Sequence, residues 1–382
     1  MATEVTGGTF LPGRENCYLM RLLRAVQSSF DLRKAIVAAL GLLIFHAGWD
    51  LFELAVPAAR GIPPHLPGRT SAGAVAAGEL EEHADWGRIR TAAWRLTEPI
   101  RILVSPMVSF FEPARGGMRT LRAFLAIVWV IVVWGITGGA IARMAVVAGS
   151  SRPAPGIGGA LRFALRFALP LIVTPLCPLM AISLCALGCT AVGILYRLPD
   201  PVGPVLGGVF LVVPLGLGLV MVLLLFGLVA GWPLLHASIA ADTQDMLDSL
   251  SRCFSYLNQR LAGFAFCVLL AWVIGVPALV VVDLLASGVV HLAAWGLSFS
   301  APESSVAALS ESIRLASGVG TAATILPALW RGAIGLLAQG WIYAYFWTAG
   351  AHIYLLLREE VDGTPRTDVS EIMEESARVE RN

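Results

Sequence analysis

Two uncharged apolar runs joined by one polar stretch limit what this chain can become. Val202–Ala241 carries no Asp, Glu, Lys or Arg, and neither does Leu261–Val282. A helix needs about 20 residues to cross the hydrocarbon core of a bilayer, so each run is long enough to span. Joining them is Gly231–Arg260, GWPLLHASIAADTQDMLDSLSRCFSYLNQR, which carries Asp242, Asp245, Asp248, Arg252 and Arg260. This stretch reads as a helical surface hairpin between two spans.

Composition agrees. Of 382 residues, 57% are hydrophobic and 14% charged, against about 25% charged in ordinary soluble domains. The expected fold is therefore all-α: a polytopic transmembrane bundle of about six spans with amphipathic cytoplasmic hairpins. A net charge of +1 offers no electrostatic footprint for nucleic acid, and no nucleic-acid partner is expected. The six cysteines, Cys17, Cys177, Cys185, Cys189, Cys253 and Cys267, form no C-x2-C pair. They read as small apolar residues rather than metal or redox ligands. No metalloprotease, Walker, nucleophile-elbow or dinucleotide motif occurs, so no catalytic residue, cofactor or metal is expected, and the chain does not read as an enzyme.

The chain divides into three regions. Residues 1–33 form a basic N-terminal segment, and Met20–Ser29 fits a short amphipathic helix on the membrane surface. No cleavable leader is read, because the first apolar run is too long for a signal core. Residues 34–358 form the six-span domain, with spans near Ala35–Val56, Ala123–Ala142, Ala168–Tyr196, Val205–Leu235, Leu261–Leu285 and Leu326–Leu357. The fourth is long enough to tilt or break near Pro214. The apolar pattern of the fifth continues weakly to Phe299. Within the long outer connection 57–117, Ala72–Leu96 reads as helical and Pro99–Phe111 as a short interfacial or re-entrant piece. Glu303–Ala316 reads as a short helix in a later loop. Residues 359–382 form a charged tail in which Thr364-Pro365 resembles a helix start. Arginine asymmetry places both termini and the polar hairpins on the inner side, which points to the bacterial cytoplasmic (inner) membrane.

The two inner hairpins echo each other. GAIARMAVV followed by ALRFALRFALP parallels GWPLLHASIAA followed by SLSRCFSYLNQR. Leu161 matches Leu250, Arg162 or Arg166 matches Arg252, and Phe163 or Phe167 matches Phe254, as in a duplicated span–hairpin–span unit. The pattern in Ile239–Tyr256, an acid soon after the span and then DSLSRCFSY, resembles a broad set of uncharacterised bacterial six-span membrane proteins. It is also distantly similar to the membrane domain attached to some glycerophosphodiester phosphodiesterases. The ending FWTAGAHIYLLLREEVDGTPRTDV is similar to the end of that family, and the likeness covers roughly Arg119–Val369. Where the phosphodiesterase relatives have a soluble catalytic domain this chain has only its tail, so the resemblance implies no hydrolase activity.

Ionisable residues in or near spans are the remaining functional candidates, since charge in lipid is costly. His46, Asp50 and Glu53 share a stripe on span one. With Asp283 and Arg331 they make a possible outward-facing polar cluster, in which Asp283 and Arg331 are expected to pair. Arg143, His236, Asp245, Asp248 and Arg252 make a possible cytoplasmic surface. There Arg252 is expected to meet Asp248 at i, i+4 or to reach a lipid phosphate. A helix is expected from about Thr243 to Leu257, capped by Thr243, with Met246, Leu250, Phe254 and Leu257 as its packed stripe. Helix-end residues and self-paired surface charges are the plainer accounts of both groups. The leading functional expectation is a non-enzymatic scaffold, assembly or lipid-interacting protein. Its partners would be membrane lipids and a further membrane protein or second copy. A transporter or permease for a small solute is the alternative.

Overall fold

An uncharged run in hydrocarbon folds as a helix because its N–H and C=O groups must be satisfied within the segment. The computed structural model of the chain describes residues 12–55, 85–111, 117–243, 245–302 and 322–370. Among them are twelve helices and no strand, so the all-α bundle is what the structure shows. In order these are α1 (Pro12–Ser29), α2 (Leu32–Ala55), α3 (Asp85–Arg95), α4 (Glu98–Phe111), α5 (Gly117–Gly149) and α6 (Ile157–Arg166). Next come α7 (Ala168–Leu195), α8 (Val202–Phe210), α9 (Val212–Asp242), α10 (Met246–Gln259), α11 (Leu261–Leu297) and α12 (Ala322–Val361).

Among the described residues, five helices are long and apolar enough to cross a membrane: α2, α5, α7, α9 and α11. α12, the sixth span of the sequence reading, is 40 residues long but does not reach the same apolarity. The reason is its position. It packs against α1, α2, α5, α9 and α11, so its Gln339, Tyr343, Tyr345, Thr348, His352 and Tyr354 are buried in protein. Trp134 of α5 stacks on Tyr343, with centroids 4.3 Å apart and planes at 5°. Gly138 of α5 leaves room for Trp347, since a Cβ there would lie 2.4 Å from the indole.

The other spans match or refine expectation. The fourth run breaks at Leu211, where the ring of Pro214 opposes the carbonyl of Phe210. α11 continues as helix well past Asp283. Gly135 and Gly139 of α5, and Gly227 and Gly231 of α9, have the G-x-x-x-G spacing that lets helices approach, and each pair seats a neighbouring helix closely. A Cβ on Gly139 would lie 2.6 Å from Leu171, and one on Gly227 would lie 2.3 Å from Phe254. The hairpin of α7, α8 and α9 leaves apolar flanks outside the bundle: Leu184, Leu187, Leu219 and Val222 are all exposed, as lipid-facing residues are.

Three expectations are corrected. α9 ends with Thr243 in the left-handed region (φ 52), so Thr243 closes α9 and Asp245 is the residue before α10. Of the expected stripe of α10, Leu257 is buried, Leu250 packs on the core and Phe254 meets Gly227, whereas Met246 is exposed; Ser249, Cys253 and Tyr256 are buried as well. Thr364-Pro365 opens no helix before Ser370. Past the positive φ of Gly363 the chain makes one turn and otherwise runs without helix. In the 57–117 connection, α3 realises the described part of the expected helix, and α4 is a 14-residue helix, too short to cross. Its Pro99, Ile102, Leu103 and Met107 are buried. Glu303–Ala316 lies outside the described residues, as do the side chains of Asp50 and Glu53.

One end of the bundle gathers many separate segments. Tyr18 of α1 donates to Glu360, and Arg21 pairs with Glu359 at 2.9 Å. Arg33 donates to the carbonyl of Ala154 in the first hairpin, and Arg152 donates to those of Thr367 and Val369. The N-terminal helix, both short hairpin helices and residues 358–370 therefore lie together, at what we call the hairpin end.

Candidate functional site

Polar side chains concentrate in two layers. The first closes the hairpin end around Asp242, the last residue of α9. Asp242 accepts from Tyr354 Oη at 3.0 Å, pairs with Arg358 at 2.9 Å and meets Arg252 Nη1 at 3.5 Å. Arg143 donates to the carbonyls of Ala240 (2.7 Å) and Ser370 (2.8 Å) and stacks over Phe163 of α6 at 5.0 Å. Arg358 also donates to the carbonyl of Asp368 at 2.8 Å, and the Ser370 amide donates to Ala241 O at 3.0 Å. Val369 is buried beneath these contacts. Three arginines from α5, the first hairpin and α12 thus hold residues 367–370 as a strap over the ends of α5 and α9. Tyr256 of α10 donates to Asp362. Burial, and then that hydrogen bond, push its phenol above the ordinary value, so it stays a neutral donor through the physiological range.

The expected cytoplasmic surface divides between strap and solvent. Arg143 and His236 are buried, whereas Asp245 and Asp248 are exposed. His236 donates through Nδ1 to the carbonyl of Trp232, 3.0 Å away. Arg252 turns to Asp242 and to Asp362 (4.0 Å) rather than to Asp248. A local i, i+4 pair on a wet face is worth only a few tenths of a kcal/mol, and the partly buried carboxylate of Asp242 outcompetes it.

The second layer lies roughly 25 Å along α11 from Phe266, which packs on Tyr18 of α1, at 1.5 Å per residue. Here Asp283 takes a hydrogen bond from Arg95 Nη1 at 2.6 Å, and both side chains are more than nine-tenths buried. Arg95 is the last residue of α3, so Asp283 has its partner in the 57–117 connection and not, as expected, in Arg331, which is buried elsewhere along α12. Beside this pair Glu98, at the start of α4, accepts from Gln339 Nε2 (2.8 Å) and Tyr343 Oη (3.0 Å). α11 and α12 touch at this level through Val282, Ala286, Ile334 and Ala338, which puts Asp283 and Gln339 beside one contact. Arg95 Nε, Arg95 Nη2 and Asp283 Oδ1 are buried with no hydrogen-bond partner among the described residues. Each such atom costs about 1–3 kcal/mol of desolvation.

Of the expected outward-facing cluster, His46, Asp283 and Arg331 have described side chains, and the described contacts of His46 and Asp283 lead elsewhere. His46 binds the carbonyl of Leu42 at 2.8 Å, and no hydrogen bond or ion pair among the described residues joins it to Asp283. Arg95, Glu98, Gln339 and Tyr343 were missed as site residues. The available signal was Thr97-Glu98-Pro99, an acid and a proline opening an apolar helix.

No protein-family model, no curated protein and no solved structure matches the chain.

Proposed function

We propose that the chain is a non-enzymatic integral membrane protein, a scaffold or lipid-interacting platform that presents its hairpin end to the cytoplasm. The observation that supports this is the strap. Arg143, Arg152 and Arg358 are committed to main-chain carbonyls, which fixes five chain segments as one surface. Over that fixed base α10 and the residue before it expose Asp245, Leu247, Asp248 and Ser251, a mixed polar and apolar face suited to a membrane-protein partner, a second copy or lipid headgroups. In this reading α12 crosses as the sixth span, both termini are cytoplasmic and the membrane is the bacterial inner membrane. The excess of arginine in the segments around the hairpin end supports that orientation.

Photo-crosslinking in native membranes tests it. A benzophenone amino acid at position 247 is expected to give a discrete adduct with a protein or an anionic lipid. Asp248→Arg should abolish the adduct while the folded amount is unchanged. In a background without the native cysteines, Leu247→Cys should react with an impermeant maleimide only after permeabilisation. Labelling of intact cells, or no adduct at any exposed α10 position, would sink the reading.

A second reading, a transporter or permease for a small solute, is favoured by one observation. Charged groups buried among helices mark ligand and ion paths in membrane proteins by default, and Arg95, Glu98 and Asp283 form such a group.

A further inference from the structure

The two hairpins differ in charge. The second mixes Asp242, Asp245 and Asp248 with Arg252 and Arg260, whereas no Asp or Glu occurs anywhere from 113 to 199. The first hairpin and its flanks hold Arg143, Arg152, Arg162 and Arg166. Arg143 and Arg152 are committed to carbonyls of the strap. Arg162 and Arg166, at i, i+4 on α6, are exposed and make no ion pair among the described residues. Packing fixes their direction. Ala160, Phe163 and Ala164 of α6 turn into the core, and Arg143 stacks over the ring of Phe163. The opposite side of the helix therefore presents Arg162, Leu165 and Arg166. α6 packs on α5, α7 and α2. α5 and α7 hold no acid, and the acids of α2, Asp50 and Glu53, lie roughly 25–30 Å along that helix from Arg33. Three residues past Arg166 the exposed stripe of α7 begins, with Leu169, Met180, Leu187 and Ile194 on one side of the helix. Arg162 and Arg166 thus stand where lipid-facing apolar surface gives way to the polar hairpin end.

We infer that this face of α6 binds anionic phospholipids, with headgroup phosphates on Arg162 and Arg166 and acyl chain along Leu165 and Leu169. Charge complementarity selects the occupant. Guanidinium groups take phosphate oxygens in pairs, and basic residues at the edge of a bilayer draw anionic lipid. An acidic protein surface offers carboxylates too. To reach these arginines it would have to lie over Leu165 and Leu169 at the acyl-chain boundary, where charged groups are costly. A phospholipid meets both halves of the face without that cost.

The inference deepens the lipid-interacting reading and rests on it for the hairpin end as a membrane platform. In the test, the full-length protein in detergent micelles is titrated with phosphatidylglycerol and, separately, with phosphatidylcholine. Bound lipids are counted by native mass spectrometry. Phosphatidylglycerol is expected to bind more tightly. Each arginine contributes roughly fivefold, so Arg162→Gln/Arg166→Gln should weaken phosphatidylglycerol about thirtyfold and leave phosphatidylcholine unchanged. Equal affinity for the two lipids, or unchanged phosphatidylglycerol affinity in the double variant, would overturn the site. A benzophenone amino acid at position 165, with both arginines intact, is the second measurement. In native membranes it should capture anionic phospholipid beyond its share of the bilayer. A discrete protein adduct there would overturn the site in favour of a protein partner. If the double variant does not fold, the two-lipid comparison and the adduct at 165 decide. A micelle has no sidedness, so the titration does not depend on orientation. An adduct at position 247 without phosphatidylglycerol preference ends the site and keeps the platform. Labelling of Leu247→Cys in intact cells with the preference present ends the cytoplasmic platform and keeps the site.

Discussion

Replacing Asp283 with alanine is expected to cost about 3–5 kcal/mol of folding stability, because it strands a guanidinium in the bundle interior. Arg95 is 5% exposed, and Asp283 is its single ion-pair partner among the described residues. Arg95→Ala should be comparably damaging, since it strands the carboxylate instead. Losing both charges removes the uncompensated charge and leaves mainly the cost of the space vacated by two truncated side chains. The double variant Arg95→Ala/Asp283→Ala should therefore melt well above the value obtained by adding the two single losses. The readout is thermal unfolding of the detergent-solubilised protein, followed as loss of the monodisperse peak. Strict additivity would mean that the two side chains do not meet. In that case the α3–α4 segment would not be anchored to α11 as described.

Asp242→Ala should rank next. It takes the carboxylate partner from Arg358, whose side chain is 6% exposed, and the acceptor from Tyr354. Breaking a buried pair in this way costs about 3 kcal/mol or more. Two controls calibrate the loss. Tyr354→Phe removes one hydrogen bond and should cost about 1 kcal/mol. Asp248→Ala alters an exposed residue four positions from Arg252 and should stay within about 0.5 kcal/mol of the parent. Thermal unfolding of the four proteins side by side checks the order. If Asp248→Ala proved as damaging as Asp242→Ala, Arg252 would be paired locally, and the strap would not centre on Asp242.

These two residues mark where the sequence stops being readable. Spans were legible because freedom from charge over 20 or more residues has few alternatives in a folded chain. The break near Pro214 was legible because proline acts on its own helix. Depth was legible as well, since Asp283 lies roughly 34 Å along its span from Arg260 at 1.5 Å per residue. Direction around the helix axis was not. α11 is apolar on every side, so no stripe tells which neighbour Asp283 faces. Arg331 sits at a suitable height on the next span, whereas the true partner lies 188 residues away in a connection that reads as outside the membrane. The same blindness applies to the strap. Residues 367–370 have no periodicity, and they are held by arginines from α5, the first hairpin and α12 whose targets are main-chain carbonyls. Side-chain pattern carries no record of a carbonyl. The start of α10 slipped by two residues because Thr243, a good cap by type, takes a left-handed backbone that ends α9 instead. The missed polar layer and the missed strap are both assemblies of distant segments, and local pattern has no access to them.

The strap itself is open to one direct measurement, amide hydrogen exchange over residues 362–370 of the full-length protein in nanodiscs. The amides of Asp368, Val369 and Ser370 donate to Pro365 O, Thr367 O and Ala241 O, and the arginines pin the carbonyls beside them. These amides are expected to exchange slowly, on the scale of those in α10, and to lose that protection in Arg143→Ala. Exchange of the whole segment in the unaltered protein at the rate of an unstructured peptide would contradict the strap, and with it the fixed platform at the hairpin end.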